Sequence, residues 1–314
     1  EEARAQGRPM RYDGRWREAV EGAAPRLSDV RVLIRHGDGE AEALALDEVV
    51  RSGEDSDPGV ATGPDDVAAM IYTGGTTGFP KGVMLTYGAH VEMFAGLLAS
   101  IVTRGSQLDL TDEQMADVAE AAPLPVFKPM LPVLQSSMVK RVLGHHVTHQ
   151  LLKRGLRGMM STPDIARVGY GKTLGYMVPS LPFFHSAGYM LLMMGPMVGN
   201  LRYVLPREVS FDPAQVLKTI ADERPFLMAN VPTGWKKLLA CPEIDDHDLS
   251  SLCVAISGAG VCPVPLKRQI FERFPGVIII DMFGQTEMTP LTAFRIDAAP
   301  SSLKDRSVGK PIVD

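Results

Sequence analysis

Residues 71–82 read IYTGGTTGFPKG. Four glycines, four hydroxyl-bearing side chains and one lysine fill twelve positions, directly after the apolar run VAAMIY (67–72). Glycine loses more conformational freedom on ordering than any other residue, so a cluster of it marks a backbone that must turn sharply or approach a ligand closely. Consecutive N–H groups in such a turn form a concavity suited to an anion. Thr73, Thr76 and Thr77 add hydroxyl donors and Lys81 adds a positive charge. An ordinary surface loop explains the glycines but not the threonines beside them. The combination points to a phosphate.

Outward from this loop the chain alternates. VAAMIY before it and GVMLTY (82–87) beyond it read as strands, and AHVEMFAGLLASIV (89–102) has helical character. Upstream, DVRVLIRHG (29–37) reads as a strand ending in a turn, and AEALALDEVVRSG (41–53) as a helix closed by Gly53. Downstream, GYMVPSLPFFH, LRYVLP, PFLMANVP, LCVAISGAG and GVIIIDMFG are short apolar runs, separated by helical stretches such as DPAQVLKTIADE and PLKRQIFERF. This pattern predicts an α/β fold with a largely parallel sheet, whose ligands sit at loops leaving the carboxyl ends of strands. The loops after Tyr72, Ile256 and Ile280 are the ones rich in Gly, Thr and Ser.

Residues 103–172 have a different texture. TDEQMADVAEAA opens with the spacing of a capping box, Thr111 to Gln114, and a proline-rich link, PLPVFKPMLP, follows. Residues 133–160 then read as one long helix. It carries Lys140, Arg141, Lys153, Arg154 and Arg157 with no acid, and apolar residues at helical spacing. A basic amphipathic helix of this kind suits peripheral contact with an anionic membrane; packing on its own domain is the alternative.

Composition excludes several classes. The 314 residues, 45% hydrophobic and 22% charged, are those of a globular protein long enough for a real core. A net charge of −5 gives no reason to expect nucleic acid. Cys241, Cys253 and Cys262 form no CxxC pair, which argues against a disulfide framework or a zinc site and suits a reducing, cytoplasmic setting. Thr173 to Leu201 lacks acidic and basic residues, but Pro179, Pro182, Pro196 and His185 interrupt it, so a buried strand–loop–helix passage is expected there rather than a membrane span.

Competing motifs fall away on their mechanics. Pro80 stands where a Walker loop needs glycine before its lysine. ARVGYGKT (166–173) comes nearer that pattern but lacks a strand before it and a helix after it. Gly258-Ala259-Gly260 has Pro263 in place of a dinucleotide fingerprint's third glycine. His145 and His149 stand one helical turn apart, yet no further ligand accompanies them. EIDDHD (243–248) reads as a surface turn with capping carboxylates.

YTGGTTGFPKG resembles the phosphate-binding signature of the adenylate-forming superfamily, which includes acyl-CoA synthetases, luciferases and peptide-synthetase adenylation domains. Its usual form is TSGTTG-x-PKG; Gly74 in place of the serine is similar to the long-chain acyl-CoA ligases. LPFFHSAG (181–188) resembles the family's PxFHxxG segment, and ISGAG (256–260) its SGGAP-type loop. MFGQTE (282–287) resembles YGxTE, and SVGKPIVD (307–314) the stretch that follows it. These five motifs stand in family order over about 240 residues.

The resemblance implies an ATP-dependent ligase that joins a carboxylate, here a medium- or long-chain fatty acid, to AMP and passes the acyl group to coenzyme A. It implies that Thr73, Gly74, Gly75, Thr76, Thr77, Gly78 and Lys81 hold the departing phosphates. Thr286 would bond the α-phosphate and Glu287 would hold Mg²⁺. Gly258, Ala259, Gly260, Phe283, Gly284 and Gln285 would form the adenine and AMP site, and His185 and Gly188 would border the acyl pocket. Methionine-rich YMLLMMGPM (189–197) is a candidate tunnel lining. The alternatives are an aryl-CoA ligase, an enzyme that loads a carrier-protein thiol, and a non-catalytic fragment that binds nucleotide or acyl chains. Residues 1–314 would make up part of the family's large domain, without its amino-terminal portion and its small carboxyl-terminal domain. Residues 103–172 would be a helical insertion.

Overall fold

In the computed structural model, the described residues are 8–13, 17–23, 30–36, 44–53, 56, 59–74, 78–121, 133, 136–161, 173–198, 201–205 and 211–312. The chain divides into two units, Glu1–Ala61 and Thr62–Asp314.

The first unit contains a parallel sheet of β1 (Arg8–Asp13), β2 (Val30–His36) and β3 (Leu44–Ala45), with helices α1 (Arg17–Ala23) and α2 (Leu46–Ser52). The helix expected over 41–53 is therefore shorter. Leu44 pairs with Ile34 at the sheet edge, and α2 starts only at Leu46. Gly53 follows it at φ −70°, so no left-handed cap closes the helix.

The second unit opens with β4 (Val67–Thr73) and β5 (Lys81–Thr86). They pair antiparallel, as a two-stranded ribbon separate from the main sheet. The glycine-rich loop thus closes a hairpin. α3 (Tyr87–Gly105) follows at once, and the Thr86 side chain caps it by accepting from the Ala89 N–H at 3.2 Å. One side of α3 is buried through Met93, Phe94 and Leu97. Arg104 near its end donates to the carbonyls of Phe294 and Lys310 at 3.2 and 2.9 Å.

The capping box is present. Gln114 N–H donates to Thr111 Oγ1 at 3.2 Å, Thr111 N–H donates to Gln114 Oε1 at 3.1 Å, and α4 (Asp112–Ala121) follows. The proline-rich link, 123–132, lies outside the described residues. The single helix expected over 133–160 is broken: among the described residues it contains α5 (Ser137–Leu143) and α6 (His146–Met160). The break falls at Gly144–His145, where His145 Nδ1 accepts from the Val147 N–H at 3.3 Å and so caps α6. α6 packs against α3 through its basic side. Lys153 and Arg157 pair with Glu92 at 3.3 and 2.7 Å, while Val147 and Leu151 are exposed.

The main sheet comprises β6 (Leu174–Met177), β7 (Leu201–Val204), β8 (Leu227–Asn230), β9 (Val254–Ser257), β10 (Ile278–Gly284), β11 (Leu291–Asp297) and β12 (Lys310–Pro311). Their order is β12-β11-β10-β9-β8-β6-β7; the pairs from β7 to β10 are parallel, and β11 and β12 run antiparallel. Between them lie α7 (Ser186–Val198), α8 (Pro213–Glu223), α9 (Pro232–Leu239) and α10 (Val264–Arg273). Of ARVGYGKT only Thr173 lies among the described residues; a strand, β6, begins immediately after it where a Walker loop needs a helix. Alternate residues on each strand face opposite ways. Met177, Met228, Ala255 and Ile279 join Trp235 and Ile270 in one core, while Tyr176, Ala229, Ile256 and Ile280 join Phe94 and Met190 in the other. Helices α8, α9 and α10 cover the first face, α3 and α7 the second. Among the described residues no helix is long and apolar enough to cross a membrane.

Candidate active site

Strand order fixes where a ligand fits. From β6 the chain moves outward to β7 and then returns to β8 on the other side of β6, so the direction of winding reverses between β6 and β8. Loops leaving the carboxyl ends of strands at such a reversal diverge and leave a crevice. A pocket lies there, about 500 Å³ of space that is partly open to solvent. Leu181 and His185 after β6, Asn230 at the end of β8, Gly258 and Ala259 after β9, and Phe283 and Gly284 at the end of β10 all line it. Met190, Leu191, Ile256, Met282 and Leu291 supply apolar wall.

Each loop has a local reason for its shape. Ala259 sits at φ +58°, a left-handed conformation that strains any residue with a Cβ. A Cβ on Gly284 would fall 1.8 Å from the Pro290 carbonyl oxygen, so only glycine lets β10 turn back into β11. A Cβ on Gly188 would fall 2.2 Å from the Pro182 carbonyl oxygen, so the first turn of α7 can rest directly on the 181–184 turn. His185 stands just ahead of α7, and its Nδ1 accepts from the Ala187 N–H at 3.2 Å, which leaves Nε2 to carry the proton of the neutral ring. His185 is exposed at the pocket rim rather than buried in the core.

Thr286 lies in a short 3₁₀ turn after β10, and its hydroxyl donates to Ser186 Oγ at 2.9 Å. That bond joins the 282–287 segment to α7. Glu287 and Gln285 are exposed beside it, and the Phe283 ring is half exposed at 49%. Gly260, also exposed, completes the turn after β9. Of the phosphate-loop residues, Gly75, Thr76 and Thr77 lie outside the described residues. Thr73 and Lys81 face one another as a cross-strand pair at the base of the hairpin, and Gly74 and Gly78 are open to solvent. None of the four described ones, Thr73, Gly74, Gly78 and Lys81, lines the pocket; the hairpin is followed directly by α3, whose His90 ring meets the Tyr189 ring of α7 edge-on at 5.5 Å.

Burial raises the pKa of the Cys262 and Cys241 thiols, so neither is poised as a nucleophile. His145 and His149 are occupied as a cap and beside Thr103, and no group of three potential metal ligands occurs among the described residues. Three further residues contribute to the pocket and its surroundings without a signal of their own in the sequence. Ser186 lies inside the quoted LPFFHSAG but carried no role, and Asn230 and Met282 stand at strand ends where only the topology reveals a shared pocket.

The family model for AMP-binding enzymes matches residues 13–127 and 144–314. The chain belongs to the AMP-binding enzyme family. Among curated AMP-binding relatives, a long-chain-fatty-acid–CoA ligase of Bacillus subtilis is 29% identical over 231 residues, 72% of this chain and 28% of its own length. A feruloyl-CoA synthase of Amycolatopsis is 26% identical over 260 residues, 83% of this chain and 38% of its own. The chain therefore spans about a third of the curated relatives it matches. An anthranilate CoA ligase solved with anthranoyl-AMP superposes with a TM-score of 0.65 over 98% of this chain and 46% of its own, at 20% identity. The α/β fold is thus that of adenylate-forming enzymes, as expected.

Proposed function

We propose that this AMP-binding chain carries the adenylate-forming site of an acyl-CoA ligase. Supporting this reading is one observation above the rest: a crevice at the reversal of the sheet has apolar walls and is lined by His185, Phe283, Gly258 and Ala259, with Thr286 bonded to the lining residue Ser186. The reaction joins two anions. A carboxylate oxygen attacks the α-phosphorus of ATP, the bond to the bridging oxygen breaks, and pyrophosphate leaves. A thiol, that of coenzyme A in the family, then attacks the acyl carbon and expels AMP. Neither step proceeds without donors aimed at the developing negative charge.

In this reading Lys81 and the threonines and glycines of the hairpin hold the leaving phosphates, and the Thr286 hydroxyl holds the α-phosphate. Phe283 stacks on the adenine beside Gly258, Ala259 and Gly260, with Gly284 and Gln285 completing the turn. Mg²⁺ suits this donor set: it keeps several waters and binds through one or two carboxylates plus phosphate oxygens, and Glu287 is an exposed carboxylate one residue from Thr286. When bound, the ion would offset phosphate charge.

The acid is apolar. Met190, Leu191, Met282 and Leu291 favour a medium- or long-chain fatty acid, in keeping with the B. subtilis relative. An aromatic acid is the second reading, supported by the feruloyl relative and the anthranoyl-AMP neighbour. Delivery to a carrier-protein thiol, or binding without turnover, are further outcomes. The test is to incubate the intact gene product with ATP, Mg²⁺, coenzyme A and a panel of fatty and aromatic acids, following AMP release and the thioester by mass spectrometry. A thioester from one class names the substrate. AMP without thioester points to another acceptor, and no AMP with any acid overturns the proposal.

Peripheral membrane contact through residues 133–160 is a separate proposal. It is supported by the exposed Val142, Val147 and Leu151 on a segment without acids. Unchanged vesicle flotation of the intact protein after deletion of 133–160 would contradict it.

A further inference from the structure

A buried ion network lies beneath the nucleotide loops, on the sheet face opposite the pocket. Lys267 is 2% exposed, and its Nζ stands 2.7 Å from Asp281 Oδ2 and 3.5 Å from Asp297 Oδ2. Asp297 in turn accepts from Arg295 Nε at 2.6 Å. Two cations and two anions alternate, so the cluster is neutral. Asp281 belongs to a polar row across the strand ends, where Asn230, Ser257, Asp281 and Arg295 are successive cross-strand partners.

Stability alone gives a poor reason for the lysine. A buried ion pair replaced by apolar side chains of similar volume is often neutral or stabilising. Lys267 also lies in the first turn of α10, where the helix dipole disfavours a positive charge. Burial raises the pKa of Asp281, and Lys267 only partly reverses that rise. What the pair does achieve is spatial. α10 begins four residues after Gly260, and Asp281 precedes Phe283 by two, so the 2.7 Å bond ties the exit of the 258–260 turn to the end of β10.

We propose that Lys267 and Asp281 are positioning residues that set the gap between the 258–260 turn and Phe283, and hence the affinity for the nucleotide. Neither touches the ligand. This inference rests on the AMP-binding reading above, and on the assignment of those two segments to the adenine.

The experiment compares wild type with Lys267→Met, which keeps length without charge, and Asp281→Asn, which keeps size and an acceptor for Lys267. AMP binding is measured by calorimetry on the intact protein, with thermal melting as the check on folding, and KM for ATP and for the acid are compared. Either variant should weaken AMP about tenfold and raise KM for ATP similarly (a tenfold change is about 1.4 kcal/mol), with KM for the acid within about twofold. The double variant should be no weaker than the worse single one, because both act through one contact. Unchanged AMP affinity in a folded variant would overturn the inference. So would equal losses for AMP and acid, which are the mark of general loosening. Should Lys267→Met fail to fold, Asp281→Asn decides alone. A folded wild type that binds no AMP would overturn the nucleotide reading itself.

Discussion

Thr286 donates its hydroxyl proton to Ser186 Oγ across 2.9 Å, one hundred residues apart in the chain. The bond aligns the turn after β10 with the start of α7, on which the pocket rim is built. Removing it by Ser186→Ala sacrifices one neutral hydrogen bond, about 0.5–1.5 kcal/mol, and should lower kcat/KM by about 2- to 10-fold. In the proposed nucleotide complex the single Thr286 proton turns to the α-phosphate and Ser186 becomes the donor to Thr286 Oγ. Thr286→Ala, which removes the proposed phosphate donor, should therefore lower kcat/KM by about a hundredfold. Steady-state kinetics on the intact protein checks the ranking, and an equal effect of the two substitutions would contradict it.

Ala259 occupies left-handed backbone at φ +58° in the turn assigned to the adenine. A residue with a Cβ pays about 1–2 kcal/mol there, partly returned by its stiffer unfolded chain. Ala259→Gly should therefore stabilise the fold by about 0.5–1 kcal/mol, seen as a higher denaturant midpoint. A lower midpoint would mean the methyl group makes a contact worth more than the strain.

Gly284 and Gly188 leave no room for even one methyl group, with backbone oxygens 1.8 and 2.2 Å from the place a Cβ would take. Gly284→Ala or Gly188→Ala must displace backbone, at about 1–3 kcal/mol or more. Both should lower the melting temperature and weaken AMP, whereas Gly78→Ala, with nothing near it, should leave the melting temperature unchanged.

Asp248 provides a pH test. Hydrogen bonds from Ser250, its side chain first and then its backbone N–H, and the Arg224 guanidinium hold the carboxylate below its ordinary 3.8. A carboxylate with a depressed folded pKa contributes stability above its unfolded pKa and loses it as pH falls through the folded one. Wild type should melt above Asp248→Asn near neutral pH, and the difference should shrink as pH drops below about 3.8. A difference that grows on acidification would reverse the assignment.

Much of this was legible in the sequence because local rules and tertiary structure agree. The runs LGYM, LRYV, LMAN and VAIS became parallel strands, and the spacing of Thr111 and Gln114 became a reciprocal pair of hydrogen bonds. What escaped depends on distant partners. PTGWKKLL carries Gly234 and begins with proline, so it lacks a helical look. Yet Pro232 suits a first turn, and a Cβ at 234 would meet Asn230 Oδ1 at 2.0 Å. The burial of Lys267 follows only from aspartates on two strands it meets in space. Antiparallel pairing of β4 with β5 was hidden because an apolar run before a glycine loop looks the same in either kind of sheet.

The central claim is adenylate formation at this site, and ATP–pyrophosphate exchange tests it most directly. The intact gene product would be assayed across fatty and aromatic acids, alongside Lys81→Ala and Glu287→Ala. The account predicts exchange that depends on one class of acid and falls by at least about a hundredfold in both variants. A folded protein that binds ATP yet exchanges no pyrophosphate with any acid, or one whose exchange survives both substitutions, would contradict it.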